Sequence, residues 1–320
     1  MEIVGPDDCA PPAGGSAISI GAYDGVHLGH RHVIAELNRR AAEAGLKSVV
    51  VTFDRHPATV VRPDTAPLLL TDLDQKLELL ADCGIDLTLV LPFDRRRSDE
   101  SAEDFVSDVL VDGLGARLVV VGADFHFGHG RKGDVSLLTE LGRGKGFEVV
   151  GVGLAQLDGS EPISSTHIRQ LLAEGEVREA ARLLGRSHQV RGTVVRGDGR
   201  GAEMLGFPTA NLSVPPEIAL PADGVYAGRY ARPGSSNPPG GFRAAISLGR
   251  PPTFYDNTEP GSARVLEAHL IDFEGDLYGE QAHVSFDRLL HPQKRFDEVE
   301  QLIAQMETDV QDARVPLGSD

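Results

Sequence analysis

Apolar residues in the first half of the chain form short unbroken runs that alternate with helical patterns. A strand that is buried on both faces shows no apolar/polar alternation, so such runs are typical of a parallel sheet with crossover helices. We therefore predict an α/β domain. Its strands are predicted at Ser16–Gly21, Ser48–Phe53, Leu87–Leu91, Leu118–Gly122 and Glu148–Gly151.

Helical periodicity fills the intervals between these runs. The first helix is predicted over His30–Ala44, which repeats apolar residues on one face. Thr71 with Asp74 reads as a capping box that begins a second helix, and Ser101 with Asp104 begins a third. These helices supply the crossovers that parallel strands require.

The pattern changes after two further helical stretches, which lie between Ser164 and Gly185. Short strand-like runs separated by Gly/Pro-rich turns follow, and they are typical of a small β-barrel. A last amphipathic helix is predicted over Phe296–Arg314. We place the domain boundary between residues 186 and 187, giving domains 1–186 and 187–320. The barrel strands are predicted at Val190–Arg196, Val225–Arg232, Ala244–Leu248, Leu266–Asp272 and Gln281–Phe286.

Composition narrows the class of protein. Among 320 residues, 41% are hydrophobic and 25% charged, which excludes wholesale disorder, and the net charge of −17 disfavours nucleic acid and anionic lipid as partners. No apolar run is long enough for a membrane helix, and the N-terminus lacks a basic signal region. With only Cys9 and Cys83, a cytoplasmic location is expected.

The segment Gly21–His30 joins the first strand to the first helix. Backbone amides at a helix N-terminus bind anions, and Gly25 and Gly29 allow close approach of a phosphate. His27 and His30 are three residues apart, so both rings can face one ligand and donate to phosphate oxygens. Two unrelated surface histidines, or a metal pair lacking a third nearby ligand, are the alternative interpretations.

Three residues near the end of the first domain are also suited to binding phosphate. Ser165 and Thr166 begin a predicted helix, so their hydroxyls and amides point towards one ligand, and Arg169 follows one turn later as a fixed cation. An ordinary helix N-cap is the alternative for the two hydroxyl residues.

His27-Leu28-Gly29-His30 resembles the H-x-G-H nucleotidyltransferase superfamily. The longer segment from Gly21 to His30 resembles the prokaryotic bifunctional riboflavin kinase/FAD synthetase family, and the resemblance extends from about Ser16 to Arg314. It implies a Rossmann-like domain with a parallel sheet, followed by a small Greek-key β-barrel with a terminal helix. Further matching segments are Thr52–Pro57, Val121–Gly128 and Ile163–Arg169.

The resemblance implies that the first domain adenylates FMN to FAD with ATP and releases pyrophosphate. The residues that would bind ATP are Gly21, Tyr23, Asp24, Gly25, His27, His30, Ser165, Thr166 and Arg169, of which His27, His30 and Arg169 would act catalytically. Those near the flavin would be Asp54, Pro57, Asp124, Phe125 and Phe127. For the two phenylalanines, a place in the core is an equally good interpretation.

Leu205–Leu212 contains the G-F-P-T-A-N segment of flavokinases. Thr209 and Asn211 are two apart on an extended strand, so they share a face, and their oxygens suit Mg²⁺. Glu267, in Leu266–Phe273, carries over as the general base for the riboflavin 5′-hydroxyl. The resemblance implies kinase ATP contacts at Gly197, Gly199, Gly201, Pro208, Thr209 and Asn211.

The kinase half departs from the family pattern at Pro251, His291 and Gln293. The last two stand where relatives have an Arg and a Glu that shape the flavin lid. We therefore predict a bifunctional enzyme that uses ATP and Mg²⁺ on small flavin substrates, as a monomer or weak homo-oligomer. The alternatives are an FMN adenylyltransferase with a degenerate kinase domain, and a non-catalytic flavin-binding regulatory protein.

Overall fold

The computed structural model describes residues 1–156, 162–197, 208–234, 236–249, 264–296 and 298–315. Spatially the chain divides into two compact units, Met1–Ser165 and Thr166–Asp320. The predicted boundary between residues 186 and 187 separates the two domains by their functions, whereas these units are defined by spatial compactness. The functional boundary stays a prediction.

The first unit is built on a six-stranded sheet in which every pair is parallel. Five of its strands coincide with the predicted runs to within a residue or two. The short first strand at the sheet edge was not predicted, because three residues carry no usable periodicity. The strands are β1 (Glu2–Val4), β2 (Ser16–Ile20), β3 (Lys47–Phe53), β4 (Leu87–Leu91), β5 (Ala116–Gly122) and β6 (Glu148–Val152).

Helices connect the strands, and three of them were predicted. The first, α1 (Leu28–Ala44), begins two residues before the predicted His30. The second, α3 (Leu73–Ala81), is capped by Asp72, whose side chain accepts from the Gln75 amide, so the predicted Thr71 cap was wrong by one residue. Ser101 does cap its helix, which continues into π-helical Phe105–Gly113. The helices are α1 (Leu28–Ala44), α2 (Ala58–Val61), α3 (Leu73–Ala81), α4 (Arg95–Asp99), α5 (Ala102–Asp104) and α6 (Val135–Lys145).

The sheet is buried on both faces, which explains the unbroken apolar runs. Along β3, Val49 and Val51 enter one core cluster and Val50 enters the other. β2 does the same with Ile18 and Ala17. Because side chains alternate between the faces of a strand, a run of apolar residues serves two cores at once.

Strand order fixes where a ligand site can form. The order is β1-β4-β3-β2-β5-β6, so the chain runs from β2 through β3 to β4 on one side and resumes at β5 on the other. β2 therefore stands at the switch point, where the loops leaving neighbouring strands diverge and open a crevice at their carboxyl ends. The loop Gly21–His27 begins at that end of β2.

The second unit begins with two helices and continues as a closed barrel. Its elements are α7 (Ser165–Ala173), α8 (Val177–Leu184), β7 (His188–Val195), β8 (Ala210–Ser213), β9 (Gly224–Ala231), β10 (Phe242–Gly249), β11 (Val265–Leu270), β12 (Gln281–Pro292) and α9 (Val299–Arg314). Among the described strands the barrel order is β10-β11-β8-β7-β12-β9. β9, β10 and β11 are consecutive neighbours and β12 lies beside β9, which is the predicted Greek-key arrangement.

Barrel strands alternate between interior and exterior. Tyr226, Tyr230 and Phe286 are the largest fully buried side chains of the interior. On the exterior, α9 packs against the barrel, with Ala313 contributing to a small apolar cluster with Ala227. The terminal amphipathic helix thus covers part of the outer surface, as its pattern predicts.

The buried histidine at the start of β7 makes barrel stability depend on pH. Burial lowers the pKa of His188 to about 4, although its ring bonds the Ala219 carbonyl oxygen at 2.8 Å. Above pH 6.5 the ring is neutral in both folded and unfolded chains; below it, the unfolded chain binds the proton first. We expect about 3 kcal/mol of unfolding free energy to be lost between pH 6.5 and pH 4.

Chemical denaturation of wild type and His188→Gln across this pH range measures the loss. The variant should show a flatter dependence, and replacement of the exposed His32 by Gln should not. Parallel pH dependences in wild type and His188→Gln would contradict the assignment.

Candidate active sites

The loop after β2 is held in an unusual conformation. Tyr23 and Val26 adopt left-handed backbone angles, with φ of 50° and 38°, which are uncommon for residues with side chains. The buried Asp24 fixes them, because its Oδ1 accepts from the amides of Leu70 (2.9 Å) and Thr71 (3.3 Å). The loop is therefore anchored to the segment that precedes α3.

His27 and His30 stand at the N-terminus of α1. His27 is the N-cap, and its Nδ1 accepts from the His30 amide at 3.3 Å. The two rings stack with centroids 3.6 Å apart, and Tyr23 meets His30 edge-on at 5.2 Å. The structure thus brings the two rings together, and that both face one ligand stays a prediction.

His30 is uncharged in this setting. Burial holds the pKa of His30 well below its usual value, and electrostatic interactions with His27 and Lys76 lower it further. Within the described part of the chain, its Nδ1 is a buried nitrogen with no hydrogen-bond partner. A buried polar atom without a partner is costly, and it marks a position where a ligand can supply the missing bond.

Gly29 packs closely against this pair. A Cβ at Gly29 would lie 3.1 Å from the His27 ring and 3.2 Å from the Ile163 carbonyl oxygen, so a side chain here would need one of them to shift by a few tenths of an ångström.

Ser165 joins the same loop from a distant part of the sequence. Its hydroxyl donates to the Asp24 carbonyl oxygen at 2.9 Å. Because α7 begins at Ser165, Thr166 lies in its first turn and Arg169 one turn later. The helix start predicted for this segment is therefore present.

The segment after β3 carries the residues assigned to the flavin. Asp54 Oδ1 accepts from the Phe93 amide at 2.9 Å, and the carboxylate pairs with Arg55 at 2.9 Å. Burial raises the pKa of Asp54, but the bonds to Arg55 and Phe93 outweigh it, and the net effect is a lowered pKa. Pro57 is the residue before α2.

The residues after β5 separate into two groups. Asp124 is exposed and Phe125 is half-buried, so both remain candidates for the flavin. Phe127 is 8% exposed, stacks on Phe125 at 5.4 Å and belongs to the core with Phe105. Phe127 thus lies in the core, which was the alternative interpretation, and its contact with the flavin stays a prediction.

Sequence reasoning did not identify two residues that contact the loop after β2. The Thr71 hydroxyl accepts from the Gly25 amide at 3.1 Å, and Lys76 bonds the Ala22 carbonyl oxygen. Thr71 was predicted only as part of a capping box, and Lys76 belongs to no recognisable motif. The available indication was that Lys76 occupies the same helix face as Leu79 and Leu80, where an apolar residue is expected.

The barrel brings two of the predicted kinase residues side by side. Asn211 on β8 is directly opposite Glu267 on β11. Their strand neighbours Ala210, Leu212 and Ala268 are buried, so both side chains are on the outer face of the barrel. Directly opposed antiparallel residues have Cβ atoms about 4.5–5.5 Å apart, which puts the amide and the carboxylate within reach of one substrate.

Gly197 lies against Asn211. A Cβ at Gly197 would meet the Asn211 amide group at 2.5–2.7 Å. Thr209 is half-buried just before β8, and the Pro208 carbonyl oxygen lies 2.8 Å from His269 Nδ1. The predicted contacts at Gly199 and Gly201, and the departure at Pro251, lie outside the described residues.

The two described departures from the family pattern differ in environment. His291 Nε2 lies 3.0 Å from the buried Asp309 carboxylate, which also accepts from Gln305 at 2.8 Å. This places His291 in a polar link between β12 and α9. Gln293 is exposed, and its amide lies where a Cβ at Gly249 would be.

A hydroxyl and an amide oxygen beside a carboxylate suit Mg²⁺, which keeps several waters and takes few protein ligands. Thr209 and Asn211 fit that requirement by chemistry. The described residues contain no group of three or more His, Cys, Asp or Glu side chains arranged for a metal, so a site built wholly from such ligands is absent from that part of the chain.

Comparison with known proteins assigns both halves of the chain. The family model for FAD synthetase matches residues 10–167, and the model for riboflavin kinase matches residues 184–317. The chain belongs to the bifunctional riboflavin kinase/FMN adenylyltransferase family.

Family relatives match along nearly their whole length. The bifunctional riboflavin kinase/FMN adenylyltransferases of Listeria monocytogenes and Escherichia coli K12 are each 37% identical, over 93% and 96% of this chain and 91% and 94% of theirs. That of Pseudomonas fluorescens is 38% identical over 98% and 97%.

A crystal structure from Streptococcus pneumoniae, described as a macrolide-efflux protein, matches with a TM-score of 0.85 and 28% identity. It covers 99% of this chain and 100% of that one. No helix within the described residues has the length and apolar character needed to cross a bilayer.

These matches confirm the predicted family, the predicted fold classes and the two predicted transferase activities. They favour the bifunctional enzyme over the degenerate-kinase and non-catalytic alternatives. The two activities imply ATP use, usually with a metal, and small-molecule substrates.

Gly197→Ala should impair the kinase selectively. The added methyl would displace the Asn211 amide, and we expect the apparent KM for ATP in riboflavin phosphorylation to rise by about 10-fold, as for loss of one charge-assisted ligand. FMN adenylation by the same protein is the internal control. An unchanged KM would show that the Asn211 side chain does not hold the nucleotide or its metal.

Proposed function

We propose that the crevice at the carboxyl ends of β2 and β3 adenylates FMN, and that the outer face of β8 and β11 phosphorylates riboflavin. The observation that carries the first assignment is the stacked His27–His30 pair at the N-terminus of α1, with a buried unpartnered ring nitrogen. The direct opposition of Asn211 and Glu267 supports the second.

In adenylyl transfer, an FMN phosphate oxygen attacks the α-phosphorus of ATP and pyrophosphate leaves. The protein needs no nucleophile, because alignment and charge stabilisation suffice. The His27 and His30 rings and the amides of the loop donate to the phosphates, and Ser165, Thr166 and Arg169 bind the same nucleotide. Gly21, Tyr23, Asp24 and Gly25 shape this loop.

On the flavin side, the loops after β3 and β5 hold FMN. Asp54 and Pro57 follow β3, and Asp124, Phe125 and Phe127 follow β5. Because β2 has β3 on one side and β5 on the other, these loops flank the histidine pair. Such an arrangement brings the nucleotide and the flavin phosphate together at the switch point.

In the kinase reaction, Glu267 takes the proton of the riboflavin 5′-hydroxyl as its oxygen attacks the γ-phosphorus of ATP, and ADP leaves. Thr209 and Asn211 would hold Mg²⁺, which would neutralise charge on the phosphates. Gly197, Gly199, Gly201 and Pro208 complete the nucleotide contacts.

The proposal also covers the substrates, the location, the assembly and the domain bounds of the enzyme. The substrates are ATP, riboflavin and FMN, and the enzyme works in the cytoplasm as a monomer or weak homo-oligomer without nucleic acid. The adenylyltransferase domain comprises residues 1–186 and the kinase domain residues 187–320.

A product assay tests the proposal. The purified protein is incubated with ATP and Mg²⁺, once with riboflavin and once with FMN, and flavins are separated by chromatography. FAD from both substrates is expected. FAD from FMN alone would overturn the kinase assignment and direct attention to Pro251, His291 and Gln293.

Replacement of His27 and His30 by Ala should lower FAD formation from FMN by about 10²-fold or more, because two donors to the reacting phosphates are lost. Riboflavin phosphorylation should be unaffected. The exposed His32, replaced by Ala, is the matched control on the same helix. An equal fall in both activities would contradict a separate adenylyl-transfer centre.

Glu267→Gln should lower FMN formation from riboflavin by about 10²-fold or more, because the general base is lost while the side-chain shape is kept. FMN adenylation should persist. Glu274→Gln, at an exposed turn, is the control. Normal riboflavin phosphorylation by Glu267→Gln would exclude Glu267 as the base.

A further inference from the structure

Lys76 is buried where an apolar side chain would be expected. It lies on α3, is 7% exposed, and is the only lysine in the buried set of the residues that the structure describes. A buried ammonium carries a substantial desolvation cost unless its protons are bonded. Its retention therefore calls for a contact that an apolar residue cannot make.

The ammonium group bonds two carbonyl oxygens at the carboxyl ends of neighbouring strands. Nζ donates to the Phe53 carbonyl at 2.7 Å and to the Ala22 carbonyl at 3.4 Å. Phe53 is the last residue of β3 and precedes Asp54. Ala22 lies just past β2 and begins the loop that carries His27 and His30. Lys76 thus connects the loop after β2, proposed to bind the nucleotide, with the loop after β3, proposed to bind the flavin.

Lys76 also interacts electrostatically with charged side chains in the loops after β2 and β3. Burial lowers the pKa of Lys76 to about 8, while the charges of Asp24 and Asp54 oppose that shift. In turn, the charge of Lys76 adds to burial and to His27 in lowering the pKa of His30. At neutral pH the ammonium is therefore charged and His30 is neutral.

We propose that Lys76 is a positioning residue for adenylyl transfer, which sets the separation of the loops after β2 and β3 through its two carbonyl bonds. This inference rests on the proposed assignment of adenylyl transfer to these loops. In-line attack needs the FMN phosphate and the ATP α-phosphorus at near-contact distance, so a small shift of one loop against the other is costly.

The test compares Lys76→Met, which keeps the apolar stem, with Lys47→Met. Lys47 is an exposed lysine at the start of β3 that pairs with Asp86, so it is a control for the loss of a lysine charge in the same unit. Steady-state kinetics of FMN adenylation, riboflavin kinase activity and thermal unfolding are measured on each full-length chain. The His30 ring is titrated by NMR in histidine-labelled protein.

We expect Lys76→Met to lower kcat for FAD formation by about 10-fold or more, with smaller changes in KM for ATP and FMN. Riboflavin phosphorylation and Lys47→Met should match wild type. The pKa of His30 should rise in Lys76→Met, because a neighbouring positive charge has been removed. A purely structural role would not produce a kcat-specific loss together with that shift.

Two outcomes would overturn the proposal. One is a Lys76→Met enzyme whose FAD formation equals that of wild type. The other is a loss of FAD formation that only follows a lowered unfolding temperature, with an unchanged His30 titration in the folded fraction. Failure of the site assignment itself would look different, since His27→Ala with His30→Ala would then leave FMN adenylation intact.

Discussion

The buried carboxylate of Asp24 is the interaction on which the adenylyl-transfer half depends. It accepts the amides of Leu70 and Thr71 and so holds a loop whose Tyr23 and Val26 backbones are left-handed. Residues in such conformations cost of order 1–3 kcal/mol each, and hydrogen bonds to a charged group contribute about 1.5–3 kcal/mol each. The two effects are of similar size, so the loop is stable in a shape that presents His27 and His30 together.

The proposed kinase centre is positioned by a different means. Asn211 and Glu267 need no strained loop, because the antiparallel register of β8 and β11 sets them opposite each other. A slip of β8 by one residue would turn Asn211 into the barrel interior, where Ala210 now packs, and a slip of β11 would do the same to Glu267. Packing of the barrel interior therefore maintains the register that sets Asn211 opposite Glu267 on the outer face.

Much of this organisation was predictable from the sequence because it is local. Unbroken apolar runs predicted the parallel strands, and the change to short strands and turns predicted the barrel. Contiguous motifs indicated His27, His30, Asn211 and Glu267 as candidate site residues. The contacts of Thr71 and Lys76 with the loop after β2 were not predicted, since they cross about 50 residues of chain and no spacing rule connects them. The capping error at Thr71 has the same origin: its hydroxyl serves the Gly25 amide instead of α3.

The register of β7 against β12 has a consequence for the order in which the protein forms. Val190 pairs with Val284, 94 residues later in the chain (284 − 190), so the barrel cannot close until its last strand has been synthesised. The parallel sheet is complete at Val152, far upstream. During translation the adenylyltransferase sheet can fold while the kinase strands are still emerging, and closure of long loops makes the kinase the slower half to mature. A newly made chain would thus acquire its two activities one after the other, the second step of the flavin pathway before the first.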